Sequence, residues 1–226
     1  MNRRIVGSIL VAVMIPALAL AADTARSELA AAMKAKPDLG RGETNFSQCV
    51  QCHGVRGGGD PNGSTPRIAG QHYRVIIKQL VDFRYGTRWN FRMESMADRH
   101  HLATAQDIAD VAAFVSKLDR LGDQGIGSGE FTTQGASIYG RQCQSCHGAD
   151  GAGDDARSIP RLGGQHYGYL MRQMYNAVDG RRLAMPSLHV KRIAPLDFNE
   201  VRAVSDYLSR IGATAAARDT SMLPPH

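Results

Sequence analysis

The chain has 226 residues, 43% of them hydrophobic, with 27 basic and 21 acidic side chains and a formal net charge of +6. That length fits one or two ordinary domains. The excess of positive charge forms no basic stripe interleaved with aromatics, which excludes a nucleic-acid-binding reading and leaves local patches that could steer docking to an acidic protein partner.

Residues 1–22 read as a secretory signal peptide. Arg3-Arg4 supplies the charged start, Ile5 to Leu20 the apolar stretch, and Ala19-Leu20-Ala21 a small-residue cleavage site, with the cut expected after Ala21 or Ala22. The apolar run is marginal for spanning a bilayer and contains Pro16, and it would act as an anchor only if retained uncleaved. No later run is apolar enough to span, so the mature chain is expected to be soluble and exported. Removing Arg3 and Arg4 leaves 25 basic against 21 acidic residues, or +4.

The first domain is expected over 23–121. A helical lead-in at 23–39 precedes Cys49-Val50-Gln51-Cys52-His53, and the second domain, 130–213, carries Cys143-Gln144-Ser145-Cys146-His147. These two C-x-x-C-H motifs contain every cysteine of the chain. Two thiols at that spacing on one turn can form thioethers to the two vinyl groups of a haem, and the adjacent histidine can face its iron. A disulfide framework would use the cysteines but leave both histidines unexplained, as would a Cys₄ zinc site. The motifs lie 94 residues apart, and a gapless overlay of Cys49–Gly86 on Cys143–Gly180 matches 16 of 38 positions. Chance would give roughly two or three at ordinary residue frequencies. A period this long indicates two tandem small domains rather than a solenoid. The glycine-rich stretch at 122–129 marks the boundary between them, and 214–226 reads as a flexible tail.

Within each half the pattern is helical. Thr104-x-x-Asp107 reads as a capping box ahead of an apolar stripe at Ile108, Val111, Ala112, Val115 and Leu118, repeated by Val201, Val204, Leu208 and Ile211. Tyr73–Phe83 and Tyr167–Tyr175 read as a middle helix in each half. The expected fold is all-α, a small domain built twice.

His53 and His147 are the candidate first axial ligands. Pro66 and Pro160, each 13 residues further on, either offer a carbonyl to the outer ring nitrogen or simply form a rigid turn. A methionine sulfur at the sixth position would raise the potential, whereas an open position would admit small molecules. Met185 is the candidate in the second half; Met93 is the candidate in the first, with Met96 in reserve. Met171 and Met174 are assigned to the core, and His72 and His166 to a structural role. His100, His101 and His189 are further histidines that could reach iron. Arg67, Arg161 and the Arg84/Arg88/Arg92 series could pair with haem propionates or face solvent.

Two C-x-x-C-H motifs, each followed by Pro-Arg-(Ile/Leu)-x-Gly-Gln, a helix, a methionine and a final amphipathic helix, resemble the dihaem cytochromes c of the cytochrome c4 type from Gly40 to Ile211. The resemblance implies two class-I cytochrome c domains and two covalently bound haem c groups. It implies Cys49, Cys52, His53 and Met93 at one haem, and Cys143, Cys146, His147 and Met185 at the other. It further implies a periplasmic one-electron carrier, membrane-associated only if the signal is retained. The partners so implied are redox proteins: a quinol:cytochrome c reductase, a terminal oxidase, or a periplasmic reductase or dehydrogenase. Two alternatives are an electron-accepting cytochrome subunit of a larger oxidoreductase of the sulfide dehydrogenase type, and a dihaem peroxidase, which would need an open iron position.

Overall fold

The computed structural model describes residues 23–121 and 124–212. The expected signal peptide and flexible tail lie outside the described residues, as do connector residues 122 and 123. A helix over 23–34 (α1) leads into α2 (Leu39–Phe46), α3 (Val50–His53), α4 (Tyr73–Arg84), α5 (Phe91–Ala97) and α6 (Ala105–Lys117). The second half repeats the last five as α7 (Thr132–Gln142), α8 (Gln144–His147), α9 (Tyr167–Val178), α10 (Ser187–Ile193) and α11 (Phe198–Arg210). Among the described residues there is no β-strand, only two isolated bridges.

The helix starts are set locally. Thr104 and Asp107 form the expected capping box, and Asp197 with Glu200 forms its counterpart, so each final helix begins with its first free N–H groups satisfied. The stripes then bury as the spacing requires: Ile108, Val111, Ala112 and Val115 in one core, Val204 and Leu208 in the other. The middle helices run slightly beyond the expected ends, to Arg84 and Val178.

In each half the helix before the cysteine motif crosses the final helix at a glycine. A Cβ on Gly42 would lie 2.2 Å from the Asp110 carbonyl oxygen, and one on Gly135 would lie 2.0 Å from that of Ala203. Only glycine permits so close an approach. Tilted aromatic pairs flank both crossings, Phe46–Phe114 at 5.4 Å and Tyr139–Tyr207 at 5.6 Å. Buried carboxylates tie down the neighbouring chain. Asp110 accepts from the Asp38 N–H, Arg41 Nε and Gln106 Nε2, and Asp206 from the Gly129 N–H and Arg210 Nε.

The two halves dock about a pseudo-two-fold axis through the Gly-Gln-His segment that both contain. Gln71 accepts from the Arg161 N–H at 2.9 Å and donates to its carbonyl at 3.0 Å; Gln165 does the same to Arg67 at 3.0 and 2.7 Å. His72 Nε2 donates to Ala152 O, and His166 Nε2 donates to Gly58 O, both at 2.7 Å. The structural role expected for this histidine pair is therefore domain docking.

His166 is fixed in one tautomer. Its Nε2–H serves Gly58 while its Nδ1 accepts from the Gly125 N–H at 3.1 Å, which also pins the connector. Burial, reinforced by Arg67 and Arg120, holds its pKa below the ordinary histidine value, with the Gly58 bond opposing. A group whose folded pKa is depressed binds more protons when unfolded, so its contribution is present above the unfolded pKa of about 6.5 and lost as pH falls through it. The loss from one such group is at most about 1.4 kcal/mol per pH unit. Urea unfolding at pH 8 and pH 5 should therefore show a larger stability loss in wild type than in His166→Gln, which cannot titrate. Equal losses would contradict the assignment.

Candidate functional site

Each cysteine motif sits at the end of the helix that makes the glycine crossing. The chain leaves α2 and α7 into a single helical turn, with the His53 N–H on Cys49 O at 2.9 Å and the His147 N–H on Cys143 O at 3.1 Å. That turn places Cys49 and Cys143 partly buried against the two cores, while Cys52 and Cys146 are exposed. Burial pushes the Cys49 and Cys143 thiols up to about 11. None of the four cysteines is in a disulfide, and among the described residues no group of three or more His, Cys, Asp or Glu converges as a metal cluster, so the pairs do not meet as a Cys₄ site.

The turn ends at Gly54 and Gly148, both at positive φ, and the next loop folds back on the histidine. His53 Nδ1 lies 3.0 Å from Pro66 O, and His147 Nδ1 lies 3.0 Å from Pro160 O. A carbonyl can only accept, so Nδ1 carries the proton and Nε2 keeps its lone pair. Burial lowers both histidine pKa values, with the prolyl bond opposing, so both rings are neutral at pH 7. A neutral imidazole oriented through its outer nitrogen is the form that ligates iron. The prolines therefore supply a carbonyl as well as a turn. A Cβ on Gly59 would sit 2.4 Å from Pro66 O, and one on Gly153 2.4 Å from Ile159 O. They let the chain pass its own prolyl segment and so hold the carbonyl in place.

The methionine segments differ between the halves. Met93 lies in the first turn of α5, where Asn90 caps its N–H, and Met96 lies one turn further along the same helix. Met185 lies two residues ahead of α10, in the turn before Pro186. All three are half-buried. Met174 packs on the second core as expected. Neither short helix was read from the sequence; Asn90 before α5 and Pro186 before α10 are the start signals that could have found them.

His189, grouped above with the other spare histidines, is brought to the second motif. Its ring lies 5.7 Å from that of His147, edge to face. Burial, then His147, Arg182 and Arg192, lower its pKa to about 4. The first half has no counterpart: in the register that matches Ser95 to Ser187, Ala97 stands at its place.

Comparison with known proteins agrees with this duplicated site. Residues 39–119 match the cytochrome c family model, and residues 130–208 match that of cytochrome c oxidase, cbb3-type, subunit III. Cytochrome c4 of Stutzerimonas stutzeri is 30% identical over 190 residues, spanning 76% of this chain and 88% of that protein. A thiosulfate dehydrogenase electron acceptor from S. stutzeri strain A1501 is 32% identical over 174 residues, spanning 73% and 79%. The crystal structure of reduced recombinant cytochrome c4 from Pseudomonas stutzeri superposes with a TM-score of 0.69 at 28% identity, covering 78% of this chain and all of that one.

The chain is thus a tandem of two c-type cytochrome domains, with two haem c groups bound covalently through Cys49/Cys52 and Cys143/Cys146. It belongs to the cytochrome c4 family, whose members are dihaem electron-transfer proteins.

Proposed function

We propose that the chain is an exported one-electron carrier of the periplasm, with His53 and Met93 as axial ligands in the first half and His147 and Met185 in the second. The observation that carries this reading is the pair of buried, neutral histidines beside the cysteine motifs, each with Nδ1–H on a prolyl carbonyl at 3.0 Å. When bound, haem c supplies a one-electron ferric/ferrous couple. The chain's part is to hold both groups with two thioethers each, keep each imidazole facing inward, and cover the opposite side with a methionine.

Register favours Met93 over Met96. Arg88 and Arg182 pair across the domain boundary, and Met93 and Met185 lie five and three residues beyond them, whereas Met96 lies eight beyond. Met93 and Met185 as second ligands would leave no position for a substrate at either site, which would favour a carrier over a peroxidase. Among the described residues no helix is long and apolar enough to cross a membrane, consistent with release from the membrane once the leader is cut. Its partners are redox proteins, a quinol:cytochrome c reductase or a periplasmic dehydrogenase as donor and a terminal oxidase or reductase as acceptor. The relative named as a thiosulfate dehydrogenase electron acceptor supports the reading as a dedicated acceptor of a larger oxidoreductase.

The proximity of His189 to His147 favours one rival reading, a second histidine at the C-terminal iron. The weak long-wavelength methionine-to-ferric-iron absorption band separates the two. The account expects intensity for two haems, reduced by half in Met93→Ala and in Met185→Ala and unchanged in Met96→Ala. Intensity for one haem that Met185→Ala leaves untouched would assign the second site to His189.

A further inference from the structure

Arg88 and Arg182 meet on the pseudo-two-fold axis and share the same two partners. Arg88 donates to Gln79 Oε1 at 2.5 Å and to Gln173 Oε1 at 2.8 Å; Arg182 donates to the same two oxygens at 3.2 Å each. Their main chains form an antiparallel bridge, and the neighbouring Trp89 N–H donates to Arg181 O at 2.7 Å. Arg88 is 8% exposed and packs against the Phe83 ring at 4.4 Å.

Two like charges held side by side in a buried interface require counter-charge. Among the described residues no carboxylate forms an ion pair with either guanidinium, although surface arginines elsewhere in the chain do so freely. Asp82, which raises the Arg182 pKa through its charge without pairing with it, is engaged by Lys78 at 2.5 Å and by the Thr87 hydroxyl. Two glutamine oxygens and the Tyr169 hydroxyl, at 2.6 Å from Arg88, are the neutral acceptors present. Burial, then Arg88, lower the Arg182 pKa to about 10. Burial alone would raise Tyr169, yet Arg88, Arg182 and Arg172 together bring it below its ordinary value. The cluster is short of negative charge.

Each arginine belongs to the link between its middle helix and its methionine segment. Haem c is the one carboxylate-bearing group that both halves bind, and its two propionates remain free after thioether attachment.

We propose that Arg88 and Arg182 form a single carboxylate-binding clasp at the domain interface, shared by propionates from both haems, so that one guanidinium influences both irons. The proposal rests on the two covalent haems and is independent of which methionine or histidine caps either iron.

The test uses the exported, haem-loaded full chain. In Arg182→Gln both midpoint potentials should fall, because removing a positive charge from a low-dielectric site disfavours the ferrous state at each iron. A tenfold drop in the ferrous-to-ferric ratio reads as about 59 mV. The propionate-bending bands in the resonance Raman spectrum should shift as well. A fall confined to one haem, or no fall, overturns the shared clasp. Arg182→Lys retains the charge but loses the planar fork; it serves if the glutamine variant loads poorly. Its Raman bands should shift while the potentials stay near wild type, and unshifted bands overturn the proposal. Inorganic sulfate added to wild type at constant ionic strength should leave both potentials unchanged. A shift would show that the pair takes an anion from solution instead.

Discussion

Replacing Cys143 and Cys146 by alanine should leave one covalent haem per chain where wild type has two, in a haemochrome assay normalised to protein. The effect should be confined to the second half. The first motif belongs to a separate domain, where Cys49 packs against a core that includes Phe46, Ile77, Val81, Ile108, Val111 and Val115, with its own helix crossing at Gly42. Haem is a large apolar plate, and each domain of fewer than 100 residues depends on it to extend a limited core. The variant's second half should therefore exchange its amide hydrogens faster than its first. Loss of both haems from this double substitution would mean that the halves do not mature independently. The converse variant, Cys49→Ala with Cys52→Ala, should also retain one haem.

Gly135→Ala should be strongly destabilising. The added Cβ would lie 2.0 Å from the Ala203 carbonyl oxygen and 2.8 Å from the Tyr207 Cβ, so backbone must move where α7 crosses α11. Overpacking against main chain costs on the order of 3 kcal/mol. The displacement also reaches function, because α7 runs directly into Cys143. Gly140, on the same helix, provides the control. A Cβ there would meet only Gln144 Oε1 at 3.7 Å, so Gly140→Ala should stabilise by about 0.5–1 kcal/mol through helix propensity. Chemical denaturation of the two variants should move their midpoints in opposite directions. Similar midpoints would show that the crossing is not the tight contact described.

Much of this site is legible in the residues because its chemistry is local. A cysteine pair and histidine on one turn need no distant partner to be recognised, and the capping boxes and apolar stripes follow from spacing alone. Pro66 and Pro160 could be singled out at 13 residues from each histidine, but whether they gave a carbonyl or only a turn depended on how the intervening glycines fold. The repeated Gly-Gln-His segment illustrates the limit. Its repetition shows that it is constrained, yet the cause lies about 90 residues away, where Gln71 reads the backbone of Arg161 and Gln165 that of Arg67. The Arg88–Arg182 pair was hidden in the same way, since each arginine taken alone reads as a solvated charge. Met93 and Met185 align by eye through Ser95 and Ser187 but occupy different local structures, one inside α5 and one ahead of α10. His189 has no counterpart in the first half, so duplication could not draw attention to it.

The central claim is that both irons are capped on both sides and that the chain carries electrons without binding a substrate. The visible spectrum of the dithionite-reduced, haem-loaded protein, recorded before and after carbon monoxide, tests it most directly. The account predicts sharp low-spin c-type bands that the gas leaves unchanged. A shift in the bands of either haem would contradict it, exposing an iron with an available position and favouring a catalyst over a carrier.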